Sequence, residues 1–339
     1  MDTHKIVRTI CYFSDNPSEQ TIGKLDEIED TLIKNGFLVQ TKRLCTAKKD
    51  IRQLESAVKE ESMYLSIGSL NIDEAEAKLD DFCSSRNTAF NIDLTSSIID
   101  KRCVDILFQI IKNKSDKTFL FAYVFHNPPS TPFFPSATYA KNGFSIGLQP
   151  TDLSLGCKSI EEWLEKMKVI WDEINRLFKS NDDFLGIDSS IAPLNDEKGS
   201  FLGFIKRLGF DFSYSATTSI YLEITAYLKE NNPKPVGLCG LMLPCLEDRQ
   251  LANEYEKGNF SLERNIYLSL HSGLGIDTYP IAVDEDPMKV AGILTLVQGL
   301  SNKYKKPLSV RFVSDGKAKT GEKTDFQNKY LIDVIVRKL

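Results

Sequence analysis

Short apolar runs alternate along the chain with longer segments in which apolar residues recur every three or four positions. The first run, 6–13, predicts a strand, and Asn16-Pro17-Ser18-Glu19 supplies the residues that open a helix, predicted to end near Asn35. Further strands are predicted at 37–44, 63–67, 89–94 and 118–125, with helices at 48–60, from Asn71 and from about Thr95. Such alternation is typical of crossover connections, and it predicts a mostly parallel sheet covered by helices.

The second half repeats this pattern after a segment without long periodicity. Residues 127–156 are rich in Pro, Gly and Ser, which predicts a long ordered loop or a pair of short strands. Ser159-Ile160-Glu161-Glu162 is a capping box that opens a long helix with an apolar stripe containing Trp163 and Trp171. The other predicted elements are strands at 184–191, 236–243, 274–281, 308–313 and 331–336, and helices at 199–209, 216–230, 246–257, 261–270 and after the cap Asp286. No linker divides the chain, so we predict one α/β domain over 1–339, with mostly parallel strands surrounded by helices and closed into a barrel.

Charge and composition narrow the class of partner. The 339 residues carry 42 Lys and Arg against 47 Asp and Glu, and the basic residues are scattered. This distribution argues against a nucleic-acid or anionic-membrane surface and favours small molecules or other proteins as partners, with a small-molecule ligand expected and a homo-oligomer left open. The N-terminal residues lack the pattern of a secretory signal, and the seven cysteines lack CxxC spacing, which predicts a cytoplasmic protein with reduced thiols.

Two familiar motifs are nearly matched. Gly143-Phe144-Ser145-Ile146-Gly147 has the spacing of a nucleophile elbow, but Pro150 follows where a helix should begin, so a Gly-rich strand or turn is expected. The Gly316 to Gly321 segment misses a phosphate-binding loop because Glu322 precedes the lysine. A solvated basic hairpin is expected there.

Four acidic residues lie where predicted strands end, and they form the candidate catalytic set: Asp188, Glu247, Asp248 and Asp277. Sites in parallel α/β folds gather at the C-terminal ends of strands, where carboxylates bind hard cations or exchange protons. Asp188 and Asp277 are the candidate metal ligands, and oxygen ligands favour Mg²⁺ or Mn²⁺ over zinc. The structural alternative is that these residues cap helices or close turns.

The chain resembles an uncharacterised family, domain of unknown function seven hundred and eleven. The resemblance runs through Asp188-Ser189-Ser190-Ile191-Ala192-Pro193, through 240–248 and through Gly275-Ile276-Asp277-Thr278-Tyr279-Pro280, with earlier matches at 7–10 and 39–43. It implies a fold similar to the pyruvate formate-lyase barrel and implies no reaction. Glycyl radical chemistry is not expected, because the segment from Arg311 to Gly316 is longer than R-V-x-G-Y and no Tyr follows its glycine.

Two hypotheses about function follow. The first is an enzyme that acts on a small anionic metabolite, with Asp188 and Asp277 as metal ligands or acid/base groups, and Arg311 paired with a substrate carboxylate or phosphate. Glu247 and Asp248 would support that site. The second is a non-catalytic barrel that binds a metabolite and reports to a partner. Turnover in a screen of metabolites separates the two.

Overall fold

A ten-stranded sheet with helices packed around it forms the framework of the protein. The computed structural model describes residues 5–58, 60–194 and 198–339, so the N-terminal residues 1–4 and position 59 of the predicted helix 48–60 lie outside it. The strands are β1 (Lys5–Ser14), β2 (Phe37–Val39), β3 (Lys42–Thr46), β4 (Tyr64–Leu70), β5 (Thr88–Asp93), β6 (Phe121–Phe125), β7 (Gly143–Leu148), β8 (Phe184–Asp188), β9 (Gly275–Pro280) and β10 (Leu308–Val313). The helices are α1 (Glu19–Lys34), α2 (Ile51–Ala57), α3 (Ile72–Ser84), α4 (Lys101–Lys114), α5 (Ile160–Phe178), α6 (Phe201–Arg207), α7 (Phe212–Ser215), α8 (Ile220–Asn231), α9 (Arg249–Glu256), α10 (Leu262–His271) and α11 (Pro287–Tyr304).

The sheet consists of two parallel sets of strands that run in opposite directions. Its order is β8-β7-β1-β3-β4-β5-β6-β10-β9, with β2 paired to β1. Strands β1, β3, β4, β5 and β6 are parallel to one another, whereas β7 is antiparallel to β1 and β10 is antiparallel to β6. The predicted mixed α/β architecture with mostly parallel strands is therefore confirmed.

The predicted barrel is not closed. Residues 235–244, here called the bridging segment, lie between the two end strands β8 and β9 and were predicted to form a strand at 236–243. In the structure they make only isolated bridges, Ile187 to Pro235 and Ile191 to Leu241 on one side, and Leu241 to Gly273 and Pro244 to Asp277 on the other. Prolines donate no backbone hydrogen bond, and Gly237 and Cys239 have φ values of 73° and 44°, so a regular ladder cannot continue here.

Local sequence signals located several helix starts correctly. Asn71 and Glu74 form a reciprocal capping box at α3, and the Ser159 side chain accepts a hydrogen bond from the Glu162 amide at α5. Asp286 caps α11, in which Pro287 is the first residue. Such caps depend on residues within one turn, which is why the sequence pattern suffices.

Other boundaries differ from the prediction. The helix predicted near Thr95 begins at Lys101, because the Asp100 side chain accepts hydrogen bonds from two amides of the first turn. The apolar run 37–44 is divided into β2 and β3. Among the described residues, the predicted strand 331–336 has one bridge, from Ile335 to Lys323, with backbone hydrogen bonds between 334–336 and 321–324, and it does not join the ten-stranded sheet.

Helix α5 covers the core with the predicted stripe. Trp163, Met167, Trp171 and Ile174 are fully buried, and the Trp163 indole donates a hydrogen bond of 2.8 Å to the Pro150 carbonyl. Within the described ranges, none of the helices combines the length and apolar character needed to cross a bilayer.

Candidate functional site

A cavity of about 80 Å³ lies where both sets of strands face one another. Side chains from six strands line it: Arg8 of β1, Arg43 of β3, Tyr64 of β4, Ala122 of β6, Asp277 of β9 and Arg311 of β10. The loop residues 133–136, parts of the bridging segment and Tyr330 complete its walls. We call it the arginine cavity, because three buried guanidinium groups face it.

Arg311 holds two carboxylates at one end of the arginine cavity. Its Nε lies 2.7 Å from Oδ1 of Asp277, and its Nη2 lies 2.6 Å from Oε1 of Glu247. Burial raises the pKa of Glu247, although Arg311 opposes the shift. Burial alone would lower the pKa of Arg311, but Asp277 and Glu247 raise it above its ordinary value. The two carboxylates and one guanidinium thus form a buried ionic triad.

A break in strand register directs Asp277 toward Arg311. Val310 pairs with Ile276 and Phe312 pairs with Tyr279, so two residues of β9 lie opposite the single residue Arg311 of β10. The extra residue is Thr278, which has φ 39°, an unusual conformation for a β-branched side chain. A bulge with local backbone strain commonly re-aims a side chain at a functional site.

Arg8 and Arg43 lie on neighbouring strands and carry few internal partners. Nη2 of Arg8 is 3.6 Å from Oε2 of Glu247, and its Nη1 donates to Oε1 of Gln40 at 3.1 Å. Within the described ranges, Arg43 donates only to the Thr41 hydroxyl and the Pro132 carbonyl, at 3.2 Å and 3.4 Å. No carboxylate in the described part of the chain pairs with Arg43.

Burial lowers the pKa of both groups, and for Arg43, whose like-charged neighbour Arg8 adds to the effect, it lowers the pKa to about 10. Both guanidinium groups are still protonated at neutral pH, so the cavity carries their charge.

Each guanidinium of the cavity also lies beside an aromatic ring. The separations from guanidinium carbon to ring centroid are 5.7 Å for Arg8 and Tyr330, 5.1 Å for Arg43 and Phe134, and 5.1 Å for Arg311 and Phe119. Ring faces stabilise cations electrostatically, more strongly when water is excluded. The rings therefore offset part of the cost of burying three positive charges.

Asp188 is placed away from this triad. It is fully buried at the end of β8 and accepts hydrogen bonds from the hydroxyls of Thr131 and Ser190 and from the amides of Ser190, Leu238 and Cys239. These hydrogen bonds connect the loop before β7 and the bridging segment to the end of β8. The carboxylate thus holds one wall of the cavity in place without lining it.

Asp248 has a similar supporting place next to Glu247. It caps α9 through the amides of Gln250 and Leu251, and it accepts further hydrogen bonds from the Ser200 hydroxyl at 2.6 Å and the Phe201 amide at 2.9 Å. Of the four predicted carboxylates, the structure therefore brings Glu247 and Asp277 together and gives Asp188 and Asp248 other partners.

The groups around Asp188 and Asp277 can be compared with the prediction that these two residues bind a metal ion. Asp188 is surrounded by protein donors and Asp277 faces a guanidinium, so these two carboxylates do not share a set of free oxygens. Over the residues that the structure describes, no group of three or more His, Cys, Asp or Glu side chains is placed to hold an ion.

Comparison with known proteins identifies the family. The family model described as Uncharacterised ACR (DUF711) matches residues 69–327, well over half of the chain. The chain belongs to this DUF711 family. A search of curated proteins found no match. The matched range of this DUF711 member contains Glu247, Asp277 and Arg311 but begins after Arg8 and Arg43.

Arg8 and Arg43 line the candidate site, but the sequence patterns did not single them out. Both lie within apolar runs predicted as strands, at 6–13 and 37–44. In a parallel sheet that is buried on both faces, an arginine inside such a run is unusual unless it has a partner or a function. An arginine inside a strand predicted to be buried is therefore the sequence feature that could have identified Arg8 and Arg43.

Proposed function

We propose that this DUF711 member binds a small anionic metabolite in the arginine cavity, with Arg43 and Arg8 as the groups that hold the anion. The observation that carries the proposal is Arg43, which is only 9% exposed and pairs with no carboxylate among the described residues. Arg311, the residue first expected to bind substrate, is engaged by Glu247 and Asp277, so its proposed role is to position them.

Hydrogen-bond accounting supports an anion as the occupant. A guanidinium carries five N–H donors, and Arg43 uses two of them within the protein. The remaining donors have no acceptor among the described residues, and a carboxylate or phosphate in the cavity supplies several acceptors together with opposite charge. Tyr64 and Tyr330 also line the cavity.

Catalysis is the stronger of the two functional hypotheses because of Glu247. Glu247 lines the same cavity as Arg43, and burial raises the pKa of its carboxyl, the direction in which the pKa of a catalytic acid or base is commonly shifted. We propose it as the general acid or base, positioned by Arg311. If the protein only binds its ligand, Glu247→Gln would leave anion binding intact and there would be no turnover to lose. Metabolite turnover that is lost in Glu247→Gln while binding persists identifies an enzyme.

We also propose that the sheet is an incomplete relative of the pyruvate formate-lyase barrel. The opposed parallel sets and the bridging segment between β8 and β9 support this likeness. The cytoplasm is the proposed location, supported by seven cysteines without a disulfide.

Isothermal titration calorimetry tests the binding proposal. The purified chain is titrated with acetate, isovalerate, succinate and inorganic phosphate, and the titration is repeated with Arg43→Gln. We expect binding of at least one anion and a loss of roughly 10- to 150-fold in affinity on substitution, the worth of a charge-assisted hydrogen bond.

Arg207→Gln is the matched control, because Arg207 is exposed and donates to Ser154 outside the cavity. Circular dichroism checks that both variants are folded. The proposal fails if the wild type binds none of the four anions, or if Arg43→Gln binds as tightly as the wild type.

A further inference from the structure

The arginine cavity has one excess positive charge and an apolar wall. Together these two features indicate which class of anion it binds. We infer that the ligand is a small monocarboxylate that carries a short apolar substituent. This inference rests on the proposed function and adds the class of anion.

The charge of the cavity favours a single negative charge. Among the described residues that line it, the side chains able to carry a full charge are three arginines and two carboxylates, which leaves one positive charge when both carboxylates are ionised. An uncompensated charge is costly where water is excluded. A monocarboxylate brings the balance to zero, whereas a dianion leaves one negative charge and requires Glu247 to take up a proton.

The apolar wall comes from different parts of the fold than the charges. The charged groups project from the strands and from the turn before α9, while four apolar side chains project from loops and from the bridging segment: Phe133, Leu238, Met242 and Leu274. A ligand in contact with both walls therefore has a charged head and an apolar body.

Two glycines keep this apolar wall in place. A Cβ atom at Gly240 would lie 2.6 Å from Cδ2 of Leu274, and one at Gly147 would lie 2.6 Å from Cζ of Phe133. Both separations are shorter than van der Waals contact, so only glycine lets these side chains reach their positions. The wall is thus built by close packing.

The size of the cavity limits the ligand. About 80 Å³ accommodates roughly five to eight water-sized groups. Ala122 and Ser309, both small, face the same space, and larger residues at these positions would fill it. A branched acid such as isovalerate, with its single carboxylate, is of this size.

Calorimetry with four probes tests the class. Isovalerate is compared with acetate, which has the same charge without the apolar body, and with succinate and inorganic phosphate, which carry more charge. Titrations at pH 7 in two buffers of different ionisation enthalpy count the protons exchanged. We expect isovalerate to bind at least tenfold more tightly than the other three anions and without net proton uptake.

A pair of variants separates the two walls. Met242→Gln, which changes polarity with little change in length, is expected to reduce the ratio of isovalerate to acetate affinity at least threefold. Arg43→Gln is expected to weaken both ligands and leave that ratio nearly unchanged. Tighter binding of phosphate, succinate or acetate than of isovalerate would overturn the inference while anion binding stands. Binding of none of the four overturns the proposed function as well.

Discussion

Replacement of Arg311 by methionine removes the centre of the buried ionic triad while keeping a side chain of similar length. The guanidinium makes two charge-assisted hydrogen bonds, of 2.7 Å to Asp277 and 2.6 Å to Glu247, and it is 9% exposed. Without it, two carboxylates face each other in the cavity, with Arg8 at 3.6 Å from Glu247 as the nearest cation. We expect Arg311→Met to be strongly destabilising at neutral pH.

The magnitude follows from the two lost interactions. A hydrogen bond to a charged group contributes about 1.5–3 kcal/mol, and removal of one member of a buried ion pair costs about 3–5 kcal/mol. The side chain is nearly buried, so little of this is screened by solvent. We therefore expect a fall of about 3–5 kcal/mol in the free energy of unfolding.

The effect should depend on pH with a defined sign. In Arg311→Met, Glu247 keeps the burial and the Asp277 charge that raise its pKa and loses the group that most opposes them. A carboxyl whose pKa is higher in the folded state than in the unfolded state binds its proton more tightly when folded. The stability of the variant should therefore fall, relative to the wild type, as pH rises from about 4.3 through the raised pKa.

Urea unfolding, followed by the fluorescence of the buried residues Trp163 and Trp171, measures this change at several pH values. Arg102→Met is the control, since Arg102 pairs with Asp73 and Glu76 on the surface, where water screens the charges. The triple change Arg311→Met with Glu247→Gln and Asp277→Asn should recover part of the loss, because it also removes the two negative charges that would otherwise repel each other, although Arg8 then loses its partner Glu247. An Arg311→Met protein as stable as the control, or one that gains relative stability with rising pH, would refute the reasoning.

Three further predictions, made with four substitutions, test the framework. Asp188→Asn should lower the free energy of unfolding by about 3 kcal/mol, because a carboxylate that accepts five hydrogen bonds is replaced by a group with one acceptor oxygen. An unchanged midpoint of urea unfolding would contradict this. Gly275→Ala should destabilise by more than about 1 kcal/mol, since its φ is 111° and a Cβ would lie 2.0 Å from the Ser309 carbonyl oxygen, whereas Gly23→Ala, in open space on α1, should stabilise by about 0.5–1 kcal/mol. Equal effects of the two glycine changes would contradict that contrast. Asn71→Ala should cost about 1 kcal/mol by removing the α3 cap, and no loss of thermal stability would argue against the cap.

Elements defined by neighbouring residues were predictable from the sequence. The starts of α3, α5 and α11 follow from caps whose partners lie within four residues. The strand 308–313 was predicted with its observed bounds, because its apolar run is short and turn residues precede it. By contrast, 236–243 and 331–336 have the composition of strands but lack continuous partners. A strand needs a ladder from a distant segment, and composition does not report whether one is available.

For the site, the sequence indicated several of the residues, but the tertiary structure decided how they pair. Asp188, Glu247, Asp277 and Arg311 were selected from the sequence because acidic and basic groups follow or interrupt apolar runs. That Arg311 pairs with Glu247 and Asp277, while Asp188 binds the bridging segment, was decided only by the tertiary structure. Among the described residues, Arg43 has no carboxylate partner, since its sheet neighbours Cys11 in β1 and Tyr64 in β4 supply none. The sequence alone thus determined which charges are buried, through their place in apolar strands. Only the packing of segments more than 200 residues apart in the chain, such as Arg8 and Glu247, determined which of those charges are compensated, since electrostatic pairing depends on distance in space.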